Sequence, residues 1–576
     1  MTLDEFQPED DFLSEISHKL SNVSIHVLPA TGELIEQSDL STIKYLLYSS
    51  EHHKIKQSIE ALRRYLSQDT RSNRVNDILS LDILPRIKEL LALNPDHSIK
   101  FECAWIITNI AAGTKEQTDA IVQHDFVDVL FEMVNDRQYG LEVNYQSAWA
   151  LANVAGESPS YREEMMSRGL SDSIALILDE IFDEINDTTY FVSGKMYISD
   201  KVYYAALDAL LWSLANIARG GFRTAEHWEK YVYMFNILSK YIKIEIKKLE
   251  IEICWGISRI LHNMYGVDVF YEKIRITTHL CNRLAAILGR GSTSRLVPAI
   301  RTVVNISSGP NYWIHGLIDA PILYNLTRLL EEQSYVDLKK DVFLVVSNMA
   351  SINEDTVDHV LNHTLVMQHI IAHIRIPGHI YEDFRWVPSK SHACLKMDEE
   401  WKITKEAIWI LFNIITIGRD SSIKQLLRLH PTLPNELGYL LNYANLSTEI
   451  CEKVLESIIS IVQRTNKYID YRQYNKNPIV SLFLQERVPE ALSTVHDNYR
   501  SHKIKTLCEK LSKLLMASEE DINQTAAIVE AGNMADEFGL PSLEEIKSKS
   551  QKRRIIRGME DGDVRWIENA VGGLNI

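Results

Sequence analysis

The sequence predicts an all-α protein, a solenoid of stacked helical repeats. Two observations predict it. Apolar residues recur at three- and four-residue spacing through most of the 576 residues, the period of an amphipathic helix. Within those runs a Trp and an Asn four residues apart recur at nearly constant intervals, and self-similarity at a fixed period marks repeat architectures.

Composition bounds the function. The formal net charge is −17. A general nucleic-acid binder needs basic surface to displace counterions, so direct nucleic-acid binding is not expected, and a basic partner is. The six cysteines are scattered and form no CxxC, which argues against zinc or a redox pair. Asp4, Glu5, Glu9, Asp10 and Asp11 stand where a secretion signal would be basic and then apolar. No apolar run is long enough to span a bilayer, so membrane insertion is not expected. Gly-rich phosphate loops, nucleophile motifs and metal-ligand spacings are missing from the sequence. The expectation is a non-enzyme with no cofactor, no metal and no catalytic residue.

Taken in order, residues 1–50 hold nine acidic residues against Lys19 and Lys44. They read as an acidic, mostly disordered leader with one short helix at its end. From His52, HKIKQSIEALRRYLSQ puts Ile55, Ile59, Leu62 and Leu66 on one face. ILSLDILPRIKELLAL follows, interrupted at Pro85. Then comes FECAWIITNIAAGTKEQT, Phe101 to Thr118, with Trp105 and Asn109 before a Gly.

That unit recurs. Trp149 pairs with Asn153, Trp212 with Asn216 and Trp409 with Asn413. Eroded copies have Trp255 with Arg259, Arg301 with Asn305, and Leu344 with Asn348. Between the Asn-equivalent positions the spacings are 44, 63, 43, 46, 43 and 65. The two long ones fit one repeat plus an insertion, placed near 183–201 and 376–400, both polar, aromatic and loop-like. An array at 51–517 results, closed by amphipathic helices at Glu449 to Thr465 and Ile504 to Ala517. Residues 518–576 form a C-terminal tail with a basic run from Lys547 to Arg557.

Residues four apart lie on one helix face. If the helices stack in parallel, the pairs build a ladder of indoles beside a ladder of amides. An amide offers both donor and acceptor to the backbone of an extended peptide. Indole faces accept the stem and charge of Lys or Arg. A lone Trp at helical spacing is more often core. Four mid-helix copies of Trp-x-x-x-Asn in one register point to recognition of an extended basic peptide, because a buried Asn is costly without partners.

Through AWIITNIAAGTKEQT, QSAWALANVAGES, LLWSLANIARG, EICWGIS and KEAIWILFNI, the chain resembles the importin α (karyopherin α) family over roughly His52 to Ala517. The resemblance implies a right-handed armadillo-repeat superhelix of about ten repeats. It implies a receptor for nuclear-localisation peptides, shuttling between cytoplasm and nucleus, with the third helix of each repeat lining the peptide groove. The implied major site comprises Trp105, Asn109, Gly113, Thr118, Gln146, Trp149, Asn153, Glu157, Trp212, Asn216 and Glu252. Gly113, Thr118 and Glu157 match the pocket for the key lysine, where the family has an Asp instead of Glu157. The implied minor site comprises Arg301, Asn305, Asp341, Asn348, Glu406, Trp409 and Asn413, with Leu344 at a Trp position, so it is expected to be the weaker. The family's partners are basic cargo proteins and importin β. Residues 1–50 lack the Arg/Lys-rich segment by which the family engages importin β, and the Lys547 to Arg557 run is a displaced version, a self-ligand or a solvated tail. The alternative function is an armadillo scaffold or chaperone for one basic partner, or a decoy that holds cargo.

Overall fold

The structure is a computed structural model. It describes residues 34–516 except 69–73, 186–188, 193–194, 199–200, 221–224, 332–337, 378, 383–384, 389–396, 444–445 and 468–476. Most of the acidic leader and the basic run at 547–557 lie outside the described residues. The described residues divide after Ile274 into two compact units.

Most repeats contribute two outer helices and a longer third one. The ten third helices are α1 (His52–Ser67), α2 (His97–Ala111), α3 (Leu141–Glu157), α4 (Lys201–Ile217), α5 (Lys247–Asn263), α6 (Thr293–Ser307), α7 (Lys339–Met349), α8 (Met397–Ile417), α9 (Thr448–Asn466) and α10 (His502–Met516). In the first unit α1 to α5 stack in sequence, each against the next. In the second unit α6 to α10 do the same. Two-helix connections and purely sequential stacking are what a solenoid requires.

The local chemistry explains the breaks. Pro85 sits in the first turn of the helix Leu84–Leu93, where its missing N–H costs nothing. Asp82 and Asp125 take left-handed backbone (φ 54°) between the outer helices of successive repeats, and Gly169 (φ 88°) does so in the next. Asp and Gly tolerate that conformation better than most residues. Asp96 caps α2 by accepting from the Ser98 amide at 2.8 Å.

The core is aliphatic and inter-repeat. Ile59, Leu62, Cys103, Ile106, Ile107, Ile110 and Leu151 are fully buried. The short helix expected at the end of the leader is Leu40–Leu47; it buries Leu40, Ile43 and Leu47 and packs against α1. Leading into α5, one helix, Ala225–Tyr241, stands in place of two.

The insertions correct the sequence reading. They are antiparallel hairpins, not irregular loops. Strands β1 (Thr189–Val192) and β2 (Lys195–Ile198) pair in the first unit. Strands β3 (His379–Glu382) and β4 (Arg385–Pro388) pair in the second. Residues Tyr190, Phe191, Tyr197, Ile380, Tyr381, Trp386 and Val387 are strand formers, and two-residue connections close tight hairpins. Each hairpin immediately precedes a third helix, α4 or α8, which accounts for the two long repeat spacings.

Candidate functional site

The Trp-Asn stripe lies on the less buried face of the third helices. In α2, Phe101, Trp105 and Asn109 are half-buried while their neighbours on both sides are buried. Trp149, Asn153, Trp212, Trp255, Arg259, Arg301 and Asn305 are also half-buried. In α7 and α8 the stripe closes over: Leu344, Asn348, Trp409 and Asn413 are all buried.

The Asn ladder has an internal logic that spacing does not reveal. Asn153 Nδ2 donates to the carbonyl of Thr108, the residue before Asn109 (3.1 Å). Asn216 Nδ2 donates to Ala152, the residue before Asn153 (2.8 Å). Asn413 Nδ2 donates to Ser347, the residue before Asn348 (3.1 Å). Asn348 Nδ2 instead donates to the hydroxyls of Ser307 and Ser308, both at 3.1 Å. Each of these side chains therefore ties a repeat to its predecessor through Nδ2, and in Asn153 and Asn216 Nδ2 makes one such bond. Asn109 Nδ2 and Asn216 Oδ1 are buried and unbonded, and such atoms are costly unless a partner arrives. Arg259, at an Asn position, makes the same tie with its Nη1, to Ala215 at 2.6 Å.

The indoles are not equivalent. Arg63 of α1, 1% exposed, lies over Trp105 at 4.7 Å from the ring centre and pairs with Glu102 at 2.7 Å. Trp255 has its own Arg259 at 5.2 Å. Trp149 and Trp212 meet edge to face with centroids 6.2 Å apart. Among the described residues no cation of the chain covers either. They are the open indole pair of the first unit.

The residues that the resemblance groups as a lysine pocket are Gly113, Thr118 and Glu157. Gly113 closes α2, and a Cβ there would meet Gln117 Oε1 at 1.8 Å, the atom that accepts from the Thr114 amide. Thr118 is buried and donates its hydroxyl to the carbonyls of Ala111 (3.1 Å) and Thr114 (3.2 Å). Glu157 ends α3 half-buried and has no ion pair among the described residues. A carboxylate at a helix C-terminus adds to the negative end of the dipole and favours a cation there. Asp119, by contrast, is already engaged by Lys115 (2.5 Å) and Tyr161 (2.7 Å). Gln146 is buried and donates to Thr108 Oγ1 at 2.8 Å, so its side chain ties α3 to α2.

Glu252 is half-buried on α5. Burial pushes its carboxyl up to about 7, and Asp208 adds to that, while Arg259, Lys248 and Arg219 pull it back. Burial, and then Arg219, bring Arg259 down to about 9.

In the second unit the corresponding face is occupied by its own partners. Arg301 Nε and Asp341 Oδ2 are 3.2 Å apart. Trp409 is 6% exposed; its Nε1 donates to Glu449 at 3.1 Å. Lys453 of α9 stands 4.9 Å from the Trp409 ring centre and 3.8 Å from that of Phe412. A resident lysine thus lies against both rings. Glu406 is buried in the same helix as Trp409, and Asn305 is half-buried on α6.

No family model matches the chain. Importin subunit alpha-1a of Oryza sativa subsp. japonica is 26% identical over 318 residues, 55% of this chain and 55% of that protein. Importin subunit alpha-1b of the same plant is 27% identical over 281 residues, 48% of this chain and 47% of the other. Importin subunit alpha-3 of Arabidopsis thaliana is 24% identical over 324 residues, 54% and 55%. By sequence, the chain is similar to importin α subunits. It spans about half the length of the curated relatives it matches. Two solved structures share its fold. A crystal structure of an engineered protein has TM-score 0.59, covers 83% of this chain and 99% of its own, and is 18% identical. A structure from work on a phosphorylation switch between cadherin and β-catenin has TM-score 0.52, covers 88% and 97%, and is 10% identical. The fold is an armadillo-type helical solenoid with two inserted hairpins.

Sequence reasoning missed four residues that stand around these side chains: Arg63, Arg162, Arg219 and Lys453. Arg63 and Lys453 belong to repeats adjoining the indoles they cover, so no local motif announces them. Arg162 was within reach. It stands 44 residues after Thr118, the same step as from Asn109 to Asn153, and donates to Ala155 as Thr118 does to Ala111.

Proposed function

We propose that this protein is a receptor for extended lysine/arginine-rich peptides, bound along the Trp-Asn face of its first unit and serving nuclear import. The observation that carries this reading is the open Trp149–Trp212 pair, with Glu157 at the end of α3 making no ion pair among the described residues. Lysine methylenes lie on the indoles, the charge sits near the ring faces, and Asn153 and Asn216 offer their remaining amide groups to the peptide backbone. The ligands are basic nuclear-localisation signals of cargo proteins, and the working compartments are cytoplasm and nucleus. The second unit contributes less, because Lys453 and the Arg301–Asp341 pair already occupy its face.

The test is a titration of the full chain with a fluorescent peptide carrying a Lys-Lys-x-Lys core. Saturable binding that weakens as salt rises from 50 to 500 mM is expected, since charged heads are screened. Absence of binding at 50 mM salt would overturn the reading.

Glu252 gives this binding a pH dependence. With its carboxyl at about 7, it is charged at pH 8 and largely neutral at pH 6. A histidine-free basic peptide should bind about two- to fivefold more weakly at pH 6 than at pH 8, the worth of one partly screened ion pair. Glu252→Gln should flatten the profile; an unchanged profile in that variant would assign the effect elsewhere. Because the folded-state pKa is raised, the same carboxylate destabilises the fold above pH 7, and that cost is relieved as pH falls.

A further inference from the structure

The last repeat of the second unit carries a cavity that the peptide reading does not use. It lies between the outer helices Leu433–Leu441 and Val488–Asn498 and measures about 210 Å³. That is room for about seven waters, below the roughly 300–1,000 Å³ of a drug-sized site. Its floor is apolar: Leu441, Ala491 and Val495 are buried. Its rim is polar: Arg487, Glu490 and Asn498 are exposed. Two tyrosines complete the wall. The Tyr443 ring lies 5.3 Å from that of Trp401, and the Tyr499 hydroxyl donates to the Leu446 carbonyl.

The turn that carries Arg487 is pinned to the facing helix. Gly438 lets the two approach, since a Cβ there would stand 2.9 Å from Glu486 Cβ. Asn442 Nδ2 donates to the Glu486 carbonyl at 3.0 Å, and Asn435 Nδ2 to the Glu486 carboxylate at 2.9 Å. Arg487 itself takes left-handed backbone, φ 55°. The same turn between outer helices is made by Asp82, Asp125 and Gly169 in the first three repeats, residue types that tolerate this conformation better than arginine. A long cationic side chain is thus kept where the backbone favours a different residue, the kind of strain that points to a use. Arg487 precedes the first turn of the helix Val488–Asn498, the end that favours an anion. Among the described residues neither its guanidinium nor the Glu490 carboxylate makes a hydrogen bond or ion pair. Two opposite charges therefore stand at one cavity, and neither is spent on the other.

We propose that this cavity binds a free amino acid with an apolar side chain. Arg487 takes the α-carboxylate through paired N–H donors. Glu490 takes the α-ammonium as a charge-assisted acceptor. The side chain lies on Leu441, Ala491 and Val495, between the tyrosine rings. The volume admits one such molecule, and the two charges on the rim suit a ligand that carries both. Because the walls come from successive repeats, occupancy fastens the last repeat to its neighbour and stabilises that end of the array. The proposal does not depend on the peptide reading.

The test is calorimetric titration of the full chain with L-leucine and L-phenylalanine. Saturable binding at one site is expected, with a Kd of about 0.1–1 mM, the range open to a ligand of about ten non-hydrogen atoms. N-acetyl-leucine and leucine amide each lack one charge and should bind about fivefold more weakly, the worth of one partly exposed ion pair. Arg487→Gly suits the left-handed turn, so it should leave the thermal midpoint unchanged or higher while weakening leucine about fivefold. Glu490→Gln should weaken leucine and leave N-acetyl-leucine unchanged. Binding that does not saturate by about 20 mM, well above the expected range, overturns the proposal, as does undiminished affinity in Arg487→Gly. Equal binding of leucine and N-acetyl-leucine makes the cavity a site for a peptide C-terminus, and the free amino acid falls.

Discussion

A double variant, Trp149→Ala with Asn153→Ala, is expected to lower affinity for a Lys-Lys-x-Lys peptide at least about 100-fold. Buried aromatic anchors are worth about 2 kcal/mol or more on truncation, lost hydrogen bonds add about 1 kcal/mol, and each 1.4 kcal/mol is tenfold. Trp149 supplies half of the open indole pair. Asn153 supplies the amide beside it. Part of the loss has a structural origin, because Asn153 also ties α3 to Thr108. The two contributions separate in one measurement set. The thermal midpoint should fall by the equivalent of about 1 kcal/mol, while peptide binding falls far more. Retained affinity would sink the assignment of the site to the first unit.

Replacing Arg63 by Ala should destabilise the first unit by about 3–5 kcal/mol, the cost of breaking a buried ion pair from one side. Arg63 and Glu102 are 1% and 6% exposed and 2.7 Å apart. Without Arg63, burial would dominate at Glu102, with Glu60 adding to it and Lys56 opposing; its carboxyl is already held above the usual range by desolvation despite the pull of the guanidinium. Loss of hydrogen-exchange protection at α1 and α2 is the readout. Removing both charges with Arg63→Met and Glu102→Leu should recover most of the loss. Equal damage in the single and double variants would show that lost packing on Trp105, not the orphaned carboxylate, is responsible.

These two positions mark the limit of sequence reading. The shared face of Trp149 and Asn153 was legible because their four-residue spacing recurs from helix to helix. Arg63 was not, because its partners, Glu102 and Trp105, are about forty residues away and contact depends on how α1 and α2 stack. The minor-site residues show the same limit. Asn413 and Trp409 carry a full motif, yet Trp409 is closed by Lys453 and Glu449 of the next repeat. The insertions were located by spacing, but their strand pairing was not seen, since short alternating stretches bounded by polar residues read equally well as loops.

The sequence by itself determined the helical period, the repeat length, the positions of the third helices and the face that each Trp and Asn would share. Those properties are local, set by side-chain spacing along a helix. The tertiary structure decided which indoles are open and which amide hydrogens are spent between repeats. Those are properties of stacking, because each depends on what the neighbouring repeat presents at a distance of one helix diameter.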